Sequence, residues 1–144
     1  MSSIKSDNDS QLRKARRLGI IFLAYAIVLP FLILLLPESE LPASTGPIEV
    51  FSWLMILLMP IEILLIHLSY RHFGKRSELV NIMGPSVLMY TFASVPSVYA
   101  FVIGFVESDL RLIAIPLGLV FSLIGFWLAL RYSSNLWDTK SNLP

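Results

Sequence analysis

The sequence predicts an all-α integral membrane bundle of four transmembrane helices. Three observations carry this expectation. Of the 144 residues, 56% are hydrophobic and 15% charged, which is less charge than a soluble domain of this size carries. Four apolar runs each approach or exceed the ~20 residues that a helix needs to cross a ~30 Å hydrocarbon layer at ~1.5 Å per residue. Most of the charges fall between or outside those runs.

Residues 1–17 form a polar and basic N-terminal segment. Met1 to Ser10 reads as disordered by composition, and Arg13, Lys14, Arg16 and Arg17 make a basic cluster before the first span. That span covers about 18–36. Its apolar run is longer than a signal-peptide core, and no small-x-small cleavage site follows it. Pro37 to Pro47 (PESELPASTGP) reads as a loop, because three prolines, a glycine and two glutamates cannot sit in lipid. The second span runs about 48–70 and is followed by a short basic connection, Arg71 to Leu79. The third span covers about 82–106, Glu107 to Arg111 is a tight turn, and the fourth span covers about 112–130. Residues 131–144 are a polar tail, so 18–130 is one transmembrane domain. Spans this apolar show little amphipathic alternation, and length and flanks define them.

Charge placement predicts the topology. With the N-terminus inside, Lys5, Arg13, Lys14, Arg16, Arg17, Arg71, Lys75, Arg76, Arg131 and Lys140 lie on the cytoplasmic side and only Arg111 lies outside. Four spans return the C-terminus to the same side, giving an N-in, C-in protein. Trp53 falls near the outer interface, and Tyr70, Phe73, Trp127 and Tyr132 near the inner one, as aromatic belts require. The basic inner surface suits a lipid bilayer with anionic headgroups. A net charge of +1 implies no nucleic-acid partner, and the absence of cysteine excludes disulfides and thiolate metal sites.

The first and third spans share a loose pattern. Gly19, Leu23 and Tyr25 match Gly84, Leu88 and Tyr90 at constant offset, and Glu38-Ser39-Glu40-Leu41 resembles Glu107-Ser108-Asp109-Leu110. This reads either as two tandem helical hairpins or as coincidence between spans drawn from a small alphabet.

One acid lies deep in a span. Glu62 sits well inside the second run, where an ionised carboxylate costs on the order of 2.5 kcal/mol or more. It escapes by binding a proton or by finding a partner in the bundle. Pro60, two residues earlier, cannot donate a hydrogen bond and frees the carbonyl of Ile56. Ser52, Met55, Met59, Glu62 and Ser69 follow helical spacing and share a face, expected to point into the bundle. Glu62 with Ser52, Ser69 and His67 is therefore the candidate intramembrane polar site, either for a proton or cation or as a structural hydrogen bond. His67, roughly 140° around the helix from Glu62, reads as an interfacial anchor before it reads as a relay. Two histidines and one glutamate at this spacing do not converge as metal ligands, and no metal or other cofactor is expected.

The third span carries a stripe of small residues. Ser86, Ala93, Ser97, Ala100 and Gly104 recur at helical steps with Tyr90 in the same line, and Gly118, Ser122 and Gly125 form a shorter stripe on the fourth span. Small residues let helix backbones approach. The two stripes predict packing within the bundle, or else an interface with another chain. Pro30, Pro60, Pro96 and Pro116 fall inside spans and are given no function.

No Walker loop, GxGxxG, GxSxG or triad-like arrangement occurs, so nothing points to an enzyme. Three function classes stay open. The first is a subunit or assembly component of a larger membrane complex. The second is a small oligomeric transporter or channel, such as a homo-oligomer, that uses Glu62 as its coupling or binding acid. The third, a distant last, is an intramembrane enzyme with dispersed residues.

Overall fold

The computed structural model describes residues 2–35, 47–74, 83–106 and 109–141, with side chains over 10–35, 50–74, 83–106 and 109–138. Within these residues the chain is all helical and holds no strand: α1 (Ser2–Leu34), α2 (Pro47–Gly74), α3 (Met83–Val106) and α4 (Arg111–Ser141). Each contains a window long and apolar enough to cross a membrane. The 37–47 loop and the basic connection after Phe73 lie almost wholly outside the described residues.

The helices start and stop where the local chemistry directs. Pro47 opens α2, where its missing N–H is no loss. Gly74 closes the same helix, with Arg71 and His72 in its last turn, where cations complement the helix dipole. The end of α1 tightens, and the Leu35 N–H donates to the Leu32 carbonyl at 3.2 Å. The Leu110 carbonyl accepts from the N–H groups of Ile113 and Ala114 at 3.0 and 2.8 Å, so the 109–110 turn feeds straight into α4.

Two helices run beyond their apolar spans. α1 extends back to Ser2, through residues that composition assigns to disorder, and α4 extends through the polar tail to Ser141. Neither segment contains a proline or glycine to interrupt a helix that is already nucleated in the adjoining span.

The packing is uneven. α3 lies against all three other helices and most extensively against α4. α1 and α2 each touch both α3 and α4 but, among the described residues, not each other. The cross-section is therefore a rhombus with α3 and α4 on its short diagonal. Among the described residues the α3–α4 half forms a packed hairpin and the α1–α2 half does not. The residues matched between the first and third spans also occupy unlike places: Tyr90 is fully buried whereas Tyr25 is 60% exposed, and Gly19 lies under the Tyr90 ring whereas Gly84 meets nothing within 4 Å.

Pairs of touching residues give the register. Gly19 meets Tyr90 and Ile33 meets Gly104, so α1 and α3 run parallel. His67 meets Tyr132 and Gly74 meets Leu136, so α2 and α4 run parallel. The start of α1 and the end of α4 lie at one end of the bundle and the 109–110 turn at the other. Two apolar clusters fill the interior. The cluster nearer the termini contains Ile66, Met89, Tyr90, Ala93, Phe126 and Ala129. The one nearer the turn contains Met59, Ala100, Ile103, Leu110 and Ala114.

Candidate functional site

The level between those clusters is polar. Its acid comes from α2, which turns Ser52, Met59, Glu62 and Ile66 inward and leaves Pro60 outside. Glu62 is 8% exposed. Its Oε1 accepts a hydrogen bond from the Tyr99 hydroxyl of α3 at 3.2 Å. Its Oε2 is buried and has no hydrogen-bond partner among the described residues. A carboxylate in such a place carries a large electrostatic cost unless a proton or a countercharge relieves it.

The remaining members of the level lie on the α3–α4 seam. Ser122 Oγ accepts from the Ser97 hydroxyl at 2.8 Å and from the Ser97 N–H at 3.1 Å. Ser97 directly follows Pro96, whose ring pushes back the preceding turn. The Ser97 N–H finds Ser122 across the interface and is satisfied there. Small residues flank this bond on both sides. Gly118 faces Ala100 and the Pro96 carbonyl, and Gly125 faces Ala93. Thus 93, 97 and 100 oppose 125, 122 and 118, with mirrored steps, as expected for antiparallel helices in backbone contact.

The sequence-derived candidates divide accordingly. Ser86, Tyr90, Ala93, Ser97, Ala100 and Gly104 are all buried on α3. Gly118, Ser122 and Gly125 lie against that stripe within the chain. Ser52 is buried on the Glu62 face and Ser69 is half-buried on it. His67 is separate: it is exposed, and its Nδ1 lies 2.9 Å from the Tyr132 hydroxyl. Tyr132 also stacks on Tyr70, with centroids 4.1 Å apart. This aromatic tie joins α2 to α4 nearer the termini and takes His67 away from Glu62.

Two residues absent from the sequence-level candidate site matter. Tyr99 supplies the donor to Glu62, and only the α2–α3 register brings them together. Arg111, the lone cation at its end of the spans, is 6% exposed and donates to the Ile33 carbonyl at the end of α1. It thereby serves one of the four carbonyls that a helix C-terminus leaves without an intrahelical partner.

One further surface feature is an apolar groove of about 380 Å³ between α1 and α3, lined by Val28, Leu29 and Leu32 on one side and Val98, Phe101 and Val102 on the other. No group of three or more histidine, cysteine or acidic residues able to hold a metal ion occurs among the described residues.

The described chain is a four-helix bundle in which each helix is long and apolar enough to cross a membrane, which suggests a multi-pass membrane protein. No protein-family model, curated protein or solved structure matches it.

Proposed function

We propose that this protein is a small multi-pass membrane component that packs into a larger membrane complex as a subunit or assembly factor. The observation that supports the reading is the division of labour among its helices. α3 and α4 are drawn into backbone contact and close the middle of the bundle. α1 and α2 lie apart at the two ends of the rhombus, each with a broad apolar face turned outward. Half of the α3 apolar window is buried, but only 22% of that of α2. A closed centre suits a scaffold better than a conduit, and helix–helix association in lipid relies on close packing against surfaces of this kind. The α1–α3 groove adds a recess into which the side chains of a neighbouring helix fit.

The test is the mass and composition of the particle extracted from its own membrane directly into lipid nanodiscs. The expected result is a particle containing a second polypeptide at fixed stoichiometry, lost on filling the groove with Leu29→Trp and Val98→Trp. Particles containing this chain alone, before and after those substitutions, would overturn the reading and favour the Glu62-coupled transporter.

A further inference from the structure

We propose that Glu62 is a reversible proton-binding site at mid-bundle, with Tyr99 holding one carboxyl oxygen and the other oxygen taking the proton. The proposal goes beyond the subunit reading and does not depend on it.

Three observations lead to it. The first is the unpartnered oxygen. Glu62 is more than nine-tenths buried, Tyr99 serves Oε1, and Oε2 is enclosed with no donor in reach among the described residues. Buried polar atoms are nearly always paired, so an enclosed orphan oxygen marks a place where something else is bound.

The second is the absence of a countercharge. Among the described residues α2 packs on α3 and α4 and on no other helix. α3 contains no charged residue between Met83 and Val106, and it offers the titratable groups Tyr99 and Tyr90. Tyr90 faces α1 at Gly19. α4 has no titratable group between Arg111 and Arg131. Arg111 is engaged at the far end with Ile33, and His67 is turned toward Tyr132. Among the described residues no cation faces Glu62, and a bound proton supplies the missing positive charge.

The third is the kind of cation the geometry accommodates. Hard metal ions require several oxygens converging on one point. Among the described residues no group of three or more histidine, cysteine or acidic side chains gathers here, and the nearest polar pair by register, Ser97 and Ser122, is closed on itself at 2.8 Å. A proton needs a single oxygen. The register is fixed by Ile66, whose Cδ1 shares the Gly125 contact with Ala93. One turn further toward the 109–110 turn, Glu62, Ser97 and Ser122 reach the same level. The protonated Oε2–H then lies in a polar layer of the interior, between two apolar clusters. Proton binding is a simple association: the carboxylate takes one proton from the aqueous phase and releases it there again, and Tyr99 keeps its own hydroxyl proton.

The experiment is infrared difference spectroscopy on the whole chain in nanodiscs during a pH titration, with Glu62→Gln as the subtraction reference. Tyr99→Phe and Glu62→Asp keep an acid in place should the glutamine variant disturb folding. The expected result is a protonated-carboxyl C=O band that is absent from Glu62→Gln, titrates reversibly, and changes frequency in Tyr99→Phe because Oε1 loses its donor. A band that remains constant over the whole accessible pH range would make Glu62 a fixed structural acid and overturn the proposal. So would a band that disappears at constant pH when sodium replaces a bulky organic cation, because the site would then bind a metal ion.

Discussion

Gly118 of α4 and Ala100 of α3 stand so close that a Cβ built on Gly118 would lie 2.4 Å from the Ala100 Cβ and 2.7 Å from the Pro96 carbonyl oxygen. Neither neighbour can yield, because one is attached directly to the backbone and the other belongs to it. Gly118→Ala must therefore push the two helices apart along the seam. The expected cost is about 1–3 kcal/mol, typical of overpacking, read as a lower unfolding midpoint in mixed micelles. Gly84→Ala, with nothing within 4 Å, is the control and is expected to leave the midpoint unchanged.

The serine pair makes an asymmetric prediction. Ser122→Ala removes the acceptor of both Ser97 hydrogen bonds, whereas Ser97→Ala removes one and leaves the backbone bond in place. Interhelical hydrogen bonds in membrane proteins average about 0.6 kcal/mol and reach about 1.7 kcal/mol. Ser122→Ala should fall toward the upper figure, because it also strands the Ser97 N–H beside Pro96. Ser97→Ala should fall near the lower one. A double-mutant cycle on the two sites reads the difference.

Tyr90 and Gly19 should behave as a packing pair without a hydrogen bond. A Cβ on Gly19 would meet the Tyr90 ring at 2.8 Å, so Gly19→Ala should destabilise by about 1–3 kcal/mol. Tyr90→Phe should leave stability level or raise it slightly. The Tyr90 hydroxyl is buried and makes no well-formed hydrogen bond among the described residues, so its removal forfeits little. Urea-dependent unfolding in detergent of the two single variants gives both signs in one experiment.

Arg111→Met should loosen the end of α1 and spare the middle of the bundle. The guanidinium holds the Ile33 carbonyl, and charged hydrogen bonds of this kind contribute about 1.5–3 kcal/mol. Hydrogen exchange should quicken at the last turn of α1 and the first turn of α4, with Ser97 and Tyr90 as protected as before. Uniform loss of protection would place Arg111 in the global stability of the bundle instead.

Much of this arrangement was legible in the residues. Span length and flanking charge are one-dimensional properties, so the four helices could be read directly. The Ser86-to-Gly104 stripe was legible because small residues at helical spacing have few other uses in lipid. Which partner each stripe faces was not legible, since helix register depends on shapes summed along a whole interface. For the same reason Tyr99 could not be assigned to Glu62: it lies 37 positions away, on a different helix, among aromatic residues that look alike in the sequence. Gly19 was read as part of an internal repeat because glycine recurs at Gly84, yet only Gly19 has an aromatic ring over it. Arg111 looked like an ordinary loop cation, and its burial follows from the end of α1 arriving beside it.

The helices also differ in length in a way that gives the protein two unequal sides. α1 has 33 residues and α4 has 31, whereas α3 has 24. At ~1.5 Å per residue these are rods of about 50, 46 and 36 Å against a hydrocarbon layer of ~30 Å. At the turn end, α1 stops beside the start of α4, so the surplus length all emerges where the termini lie. At the end opposite the 109–110 turn, α1 and α4 run on past their apolar windows as a pair of posts. A soluble protein approaching the end where α1 and α4 run on meets helix that reaches past the headgroups, with Arg13, Lys14, Arg16, Arg17 and Arg131 near its base.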